Sequence, residues 1–335
     1  MNNRSKKYEF TGETYMYNGV ELHRIRALKD ISGVVSAGEL GGWLESEENL
    51  SQNGTCWVRG NAKVYGNAEV YRDAKVYESA EVCGNAKVCG NAKVYGDAEV
   101  YGNAELYGYA EVYGHAKVYG DAEVYGYAEI YSDAMLFEYA EVCGNAEVYG
   151  NAEVYGNAKV YEKAKVYENA EVLDYAKIYG RAEVYGYSDV YGNSTVCDDV
   201  KIYENAEVFN YAELTGQVEL YENAKVYGCA AVSGHTKVCG YAELNGYAKV
   251  SDGVLKSSSD YIMVGPIGSR NAFTTFNLTT GTVETGCFKG TLDEFEKAIK
   301  KTHKGNEYAV AYNTVVEFFR KLVSVKGLTS GELSS

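Results

Sequence analysis

Val64-Tyr65-Gly66-Asn67-Ala68-Glu69 is one hexad of a repeat that runs in phase from Val58 to Val250 without insertion or deletion, and it decides the fold. Taking the aliphatic residue as slot one, all thirty-three first slots hold Val, Ile or Leu. Slot five, from Ala62 to Ala248, is Ala except at Ser188, Ser194, Val200, Val218 and Thr236, and it never holds a large side chain. Slot two is usually Tyr, slots three and four usually Gly then Asn or Asp, and slot six usually Glu or Lys. Self-similarity at so short a fixed period marks a solenoid.

In each hexad Ala-Glu-Val-Tyr forms an extended run, so Ala and Val point one way and Glu or Lys and Tyr the other. The Gly-Asn pair tolerates positive φ and turns the chain before the next short strand. One hexad buries almost nothing; stacked coils pair their backbones in parallel and join the Val and Ala rows into a narrow core. Sorting slot two by an 18-residue period leaves an unbroken row of Tyr77, Tyr95, Tyr113, Tyr131, Tyr149, Tyr167, Tyr185, Tyr203 and Tyr221. Cys89, Cys143, Cys197, Thr215 and Ser233 fall on a second face, and Cys83, Phe137, Leu173 and Phe209 on the third. A 12-residue period leaves no comparable row, so the expected coil is three hexads.

An aliphatic residue followed four positions later by a small one resembles the left-handed parallel β-helix hexapeptide family. The resemblance implies a left-handed helix with three hexads per coil, hence about 11 coils here. Tyr in slot two departs from the family, which prefers a small residue there. The expected fold class is therefore an all-β solenoid over 58–251, with a β cap at 1–57 and a small α+β domain at 252–335.

The solenoid carries 16 Lys and Arg against 30 Asp and Glu, which is −14 of the chain's net −15. A nucleic-acid binder should be basic, so direct binding of DNA or RNA by this body is disfavoured. The amino terminus lacks an apolar stretch long enough for a signal peptide or a membrane span, which leads to the expectation of a cytoplasmic protein without membrane partners. None of the eight cysteines forms a CxxC pair, and Cys83, Cys89, Cys143, Cys197 and Cys239 simply replace Tyr. They read as reduced, tolerated substitutes.

Ahead of the repeat, Lys7–Phe10, Thr14–Tyr17 and Val20–Leu28 read as strands, the last two joined by the Asn18-Gly19 turn. After it, Tyr261–Val264, Phe273–Leu278 and Val283–Phe288 read as three strands. Thr291 and Glu294 form a capping box for a helix ending at Gly305, and a second helix places Tyr308, Tyr312, Val315, Val316, Phe319, Leu322 and Val323 on one face. The result is a ββ(β)αα unit able to stand alone or to dock on the last coil.

Three sets of residues extend the resemblance to the whole chain: Leu22-His23-Arg24-Ile25-Arg26-Ala27-Leu28 with Gly41-Gly42-Trp43, Gly268-Ser269-Arg270-Asn271, and Gly286-Cys287-Phe288 through Phe295. Together with the repeat they are similar to a kind of phage or prophage hexapeptide-repeat protein. That resemblance implies a location in the bacterial host cell and brings no activity with it.

Acyl transfer, common among hexapeptide helices, requires a catalytic His at a subunit boundary and an extruded loop. The repeat has no extruded loop, and its two histidines, His115 and His235, sit in the corner slot. They lie at different corners by their spacing, so they do not share a metal ion at ligand distances of about 2 Å. No catalytic residue, metal ligand or cofactor is expected. Two features suit binding: the turn Ser269-Arg270-Asn271, which could present backbone N–H groups and a guanidinium to an anion, and the tyrosine row, here Tyr113, Tyr131, Tyr149 and Tyr167. A tight surface turn and a packing ladder account for the same residues without a ligand. The expected function is a non-enzymatic scaffold that binds a protein of the host or phage, with oligomeric state left open. Two alternatives remain: an acidic DNA mimic that inhibits a host defence protein, and an acyltransferase-like enzyme.

Overall fold

The computed structural model describes residues 6–325. The chain divides between Gly186 and Tyr187 into two compact units. Hexad strands run through both, making a β-solenoid of about 12 turns with parallel sheets.

In the first unit, each slot-six and slot-one pair lies beside the pair eighteen residues on, as in Lys93↔Glu111 with Val94↔Val112 and Glu99↔Lys117 with Val100↔Val118. The three-hexad coil is thus set by backbone pairing. Lys93 N donates to Ala110 O at 2.9 Å, Tyr95 N to Val112 O at 3.0 Å and Asp97 N to Gly114 O at 2.8 Å. Slots one and five are buried throughout, so the core is a column of aliphatic side chains and Ala, with slot five never larger than Val or Thr.

Slot three always turns with positive φ. Where it is not Gly it is often acidic, as at Glu78 (φ 61°), Glu162 (φ 62°) and Glu168 (φ 61°). A left-handed backbone costs such residues roughly 1–2 kcal/mol. The ladder leaves the slot-three N–H unused, and an acidic slot-three side chain accepts it from the coil above: Gly96 N donates to Glu78 Oε2 at 2.8 Å and Gly180 N to Glu162 Oε2 at 3.1 Å. This bond offsets the strain at those corners.

The solenoid begins earlier than the hexad pattern shows. Strands β1 (Tyr8–Tyr17) and β2 (Val20–Ala27) form a hairpin, and β2 pairs antiparallel with β3 (Leu40–Leu44). β3 in turn pairs parallel with Lys63–Val64, and Leu50 bridges Val70 in parallel. Leu44 and Leu50 are fully buried, so they add two rungs ahead of Val58 inside the segment expected to be only a cap. This is why the turns exceed the 11 counted from hexads. The spacing here is 20 residues rather than 18, which hides the phase. The expected runs Lys7–Phe10 and Thr14–Tyr17 are one strand whose register shifts between Phe10 and Thr14.

Polar groups close this end. Buried Lys7 donates from Nζ to Cys56 O at 2.8 Å and to Cys56 Sγ at 3.1 Å, and Tyr8 Oη donates to Leu50 O at 3.0 Å. Desolvation holds the Lys7 ammonium below its usual range.

In the second unit the same register continues, as in Lys201↔Glu219 and Glu207↔Lys225. The last turn is one residue short, with Val238 opposite Leu255. An antiparallel sheet of four strands follows: Tyr261–Ile267, Ala272–Asn277, Thr282–Thr285 and Phe288–Thr291. The expected single strand Val283–Phe288 is broken by Gly286 (φ 56°) into two, giving four strands instead of three. Helices α1 (Leu292–His303) and α2 (Glu307–Val325) cover the sheet. Thr291 caps α1 in a capping box with Glu294, as its sequence predicts. The shared core includes Phe276, Val283, Phe295, Ile299, Val316 and Phe319, whereas Tyr308 is partly exposed. The domain docks on the final turn. Lys249 N donates to Thr275 Oγ1 at 3.0 Å, Ser251 Oγ to Glu284 Oε1 at 2.7 Å and Asn277 Nδ2 to Asp252 O at 2.8 Å. The terminal residues 1–5 and 326–335 of the two expected flanking domains lie outside the described residues.

The corner geometry ranks two substitutions. A Cβ on Gly84 (φ 70°) would sit 3.0 Å from the Gly102 backbone, a position other hexads fill with acidic residues; Gly84→Ala should cost about 1–2 kcal/mol. A Cβ on Gly54 (φ 73°) would sit 2.1 Å from Arg72 O, so Gly54→Ala must displace backbone as well. Thermal melts should rank Gly54→Ala well below Gly84→Ala, and equal melting temperatures would contradict this account of the corners.

Candidate functional site

The tyrosine row is an ordered stack. From Tyr77 to Tyr185 in the first unit, consecutive rings are parallel within 4° and their centroids lie 4.7–4.9 Å apart. The spacing equals that of the strands beneath, so each ring stands over its neighbour. Tyr113, Tyr131, Tyr149 and Tyr167 all belong to this stack. Tyr113 Oη donates to Glu129 Oε2 at 2.9 Å, Tyr131 Oη to Glu147 Oε2 at 3.3 Å and Tyr167 Oη to Glu183 Oε2 at 3.1 Å. The ring faces are used within the stack, leaving edges toward solvent. Burial, followed by the neighbouring carboxylates, pushes the phenols of Tyr113 and Tyr167 up, and that of Tyr77 up to about 12.

Slot six carries the charges on all three faces. Lys87–Glu105, Lys117–Glu99, Lys159–Glu141 and Lys165–Glu147 are ion pairs between adjacent coils. Each is largely exposed and worth about 0–1 kcal/mol. Their effect is to neutralise columns in which like charges would otherwise meet.

A more accessible set of tyrosines stands at the corners, in slot four. Tyr109, Tyr127 and Tyr139 are 51%, 59% and 63% exposed, and Tyr109 and Tyr127 stack at 4.9 Å. The sequence signal was Tyr where Asn or Asp prevails, and it is weak because slot two is so rich in Tyr.

Within the second unit, the structure brings Ser269 and Arg270 to the rim of a cleft of about 280 Å³ between the sheet and the helices. Its apolar floor includes Phe288, Phe295 and Ile299, and Cys287 and His303 join the rim. The Gly268–Asn271 turn closes with Asn271 N donating to Gly268 O at 3.1 Å. A Cβ on Gly268 would lie 2.0 Å from Tyr312 Cζ, so glycine is needed for that ring to press on the turn. Asn271 is not part of this cleft; it lines a neighbouring hollow beside Tyr247 and Pro266. Thr274 and Thr275 are buried in the sheet, and Asp293 pairs with Arg320. Cys287 and His303, by contrast, reach the cleft.

Arg270 Nη1 donates to Cys287 Sγ at 2.8 Å. That bond, reinforced by the guanidinium charge, holds the exposed Cys287 thiol below its usual range. The guanidinium thus stands above an apolar floor with the acidified thiol as its partner. No group of three His, Cys, Asp or Glu arranged to hold a metal occurs among the described residues, and none of their helices is long and apolar enough to cross a membrane. Neither family models nor curated proteins show a match to this chain.

Two expectations follow. The raised phenols contribute stability that is fully present below pH of about 10, the unfolded value, and is lost as pH rises through the folded values. With Tyr77 at about 12, melting temperature should fall across pH 10 to 12 in step with tyrosinate absorbance, and a flat profile would contradict the buried ladder. At the cleft, Arg270→Gln should move the pH dependence of Cys287 alkylation by iodoacetamide upward, with Cys287→Ser identifying the signal. An unchanged profile would show that Arg270 does not acidify the thiol.

Proposed function

We propose that the chain is a non-enzymatic binding scaffold of the phage type, acting on a protein of the bacterial host or phage in the cytoplasm. The supporting observation is the pair of stacked, more than half-exposed corner tyrosines Tyr109 and Tyr127 on a backbone that hydrogen bonds hold in place. Tyrosine offers large contact area with little side-chain entropy to lose, and a fixed backbone lowers that loss further. The half-buried row through Tyr113, Tyr131, Tyr149 and Tyr167 supports the surface and contributes its edges. The ββ(β)αα domain, here four-stranded, adds a second recognition surface at Ser269 and Arg270.

DNA mimicry has one observation in its favour, the column Glu111, Glu129 and Glu147 on successive coils. At one carboxylate per about 4.8 Å it is sparser than the phosphates of duplex DNA, with one charge per about 1.7 Å, and Lys93 and Lys165 neutralise its ends.

The test uses the full chain and a Tyr109→Ser, Tyr127→Ser, Tyr139→Ser variant as baits, with fold verified by circular dichroism. A host protein held by the parent and lost by the variant is the expected result. A partner insensitive to this variant but lost with Arg270→Gln would move recognition to the cleft. Loss of the complex at high salt, with a DNA-binding protein as partner, would favour mimicry instead.

A further inference from the structure

We propose that the first turns of the solenoid carry a separate site for a small phosphate monoester. Val58 is fully buried, so its flanking residues Trp57 and Arg59 stand on the outer face. The next coils place Lys75 and then Lys93 in register with Trp57, and Tyr77 follows Val76 in the same way. These side chains and Gly33 and Val34 of the β2–β3 connection line a groove of about 240 Å³.

The charge arrangement in this groove is unlike most of slot six. Lys75 and Lys93 occupy directly opposed positions on adjacent strands, where like charges repel. Lys93 is paired on its far side with Glu111 at 2.6 Å, but among the described residues the Lys75 and Arg59 side chains make no hydrogen bond or ion pair. The corner acids beside them take their hydrogen bonds elsewhere: Asp73 Oδ1 accepts from Thr55 Oγ1 at 2.7 Å, though its charge still acts on Lys75, and Glu78 Oε2 accepts from Gly96 N at 2.8 Å. Arg59, Lys75 and the Glu111-paired Lys93 therefore line one concavity in a chain of net charge −15.

A second observation concerns the groove wall. Trp57 is 2% exposed, and its indole N–H is buried without a partner, an arrangement proteins seldom retain. With Val34 and Tyr77 it gives the groove an apolar side next to its cationic one. A guanidinium and an ammonium, with a second ammonium shared with Glu111, match a dianionic phosphate better than a single carboxylate. At about 30 Å³ per water the groove has room for roughly eight waters, which suits a phosphate bearing a single ring.

Phenyl phosphate is the probe, titrated into the full chain by calorimetry at low salt, with inorganic phosphate and phenol as comparisons. Saturable binding of phenyl phosphate is expected, weaker for phosphate and absent for phenol. Arg59→Gln and Lys75→Gln should each weaken it about tenfold or more, the scale of a lost charged hydrogen bond. Lys177→Gln is the control, because Lys177 also opposes a lysine, Lys159, but lies outside this groove, and it should change nothing. Lys75→Glu separates function from structure: it relieves the repulsion with Lys93, so melting temperature should hold or rise while binding is lost. No binding at millimolar phenyl phosphate, or an equal loss in Lys177→Gln, would overturn the proposal.

Discussion

Backbone pairing between residues eighteen apart is the constraint from which the rest of this structure follows. Once Val94 lies beside Val112 and Val100 beside Val118, every slot of the hexad becomes a column with one repeat per strand spacing. The interior columns hold Val, Ile or Leu in slot one and small or β-branched side chains in slot five. The exterior columns bring identical residues together whether or not they attract, so each must find its own solution. Tyrosines stack, asparagines pass hydrogen bonds along the column as from Asn67 to Asn85 to Asn103, and lysines pair with glutamates on neighbouring coils as Lys87 does with Glu105.

Where a column lacks such a solution, the surface acquires chemical potential. Lys75 beneath Lys93, with Arg59 nearby, is a cationic break in an acidic surface. The corner tyrosines are apolar surface that the ladder does not absorb. Arg270 beside Cys287 arises differently, from an irregular turn pressed against the Tyr312 ring, and it acidifies a thiol that composition would class as inert.

Periodicity made the solenoid legible because each inward residue is constrained independently of its neighbours in sequence. The same reading failed where spacing changed. Leu44 and Leu50 are aliphatic, buried and paired like any slot one, yet the extra residues between them and the hexads concealed the first turn. In the carboxyl-terminal domain the capping box at Thr291 is a local signal and was readable, whereas the break of Val283–Phe288 at Gly286 depends on a turn that a continuous β-prone run does not announce.

By itself, then, the amino-acid sequence determined the three-hexad coil, the Val and Ala interior, the tyrosine row and the helix start, since these depend on side-chain alternation and local hydrogen bonding. Tertiary structure alone decided which tyrosines are accessible, that Ser269 and Arg270 border a cleft while Asn271 does not, and that the terminal domain docks on the last turn. Accessibility and concavity are properties of several chain segments meeting, and the distance between residues such as Arg270 and Cys287 is set by folds of backbone that no residue pattern encodes one position at a time.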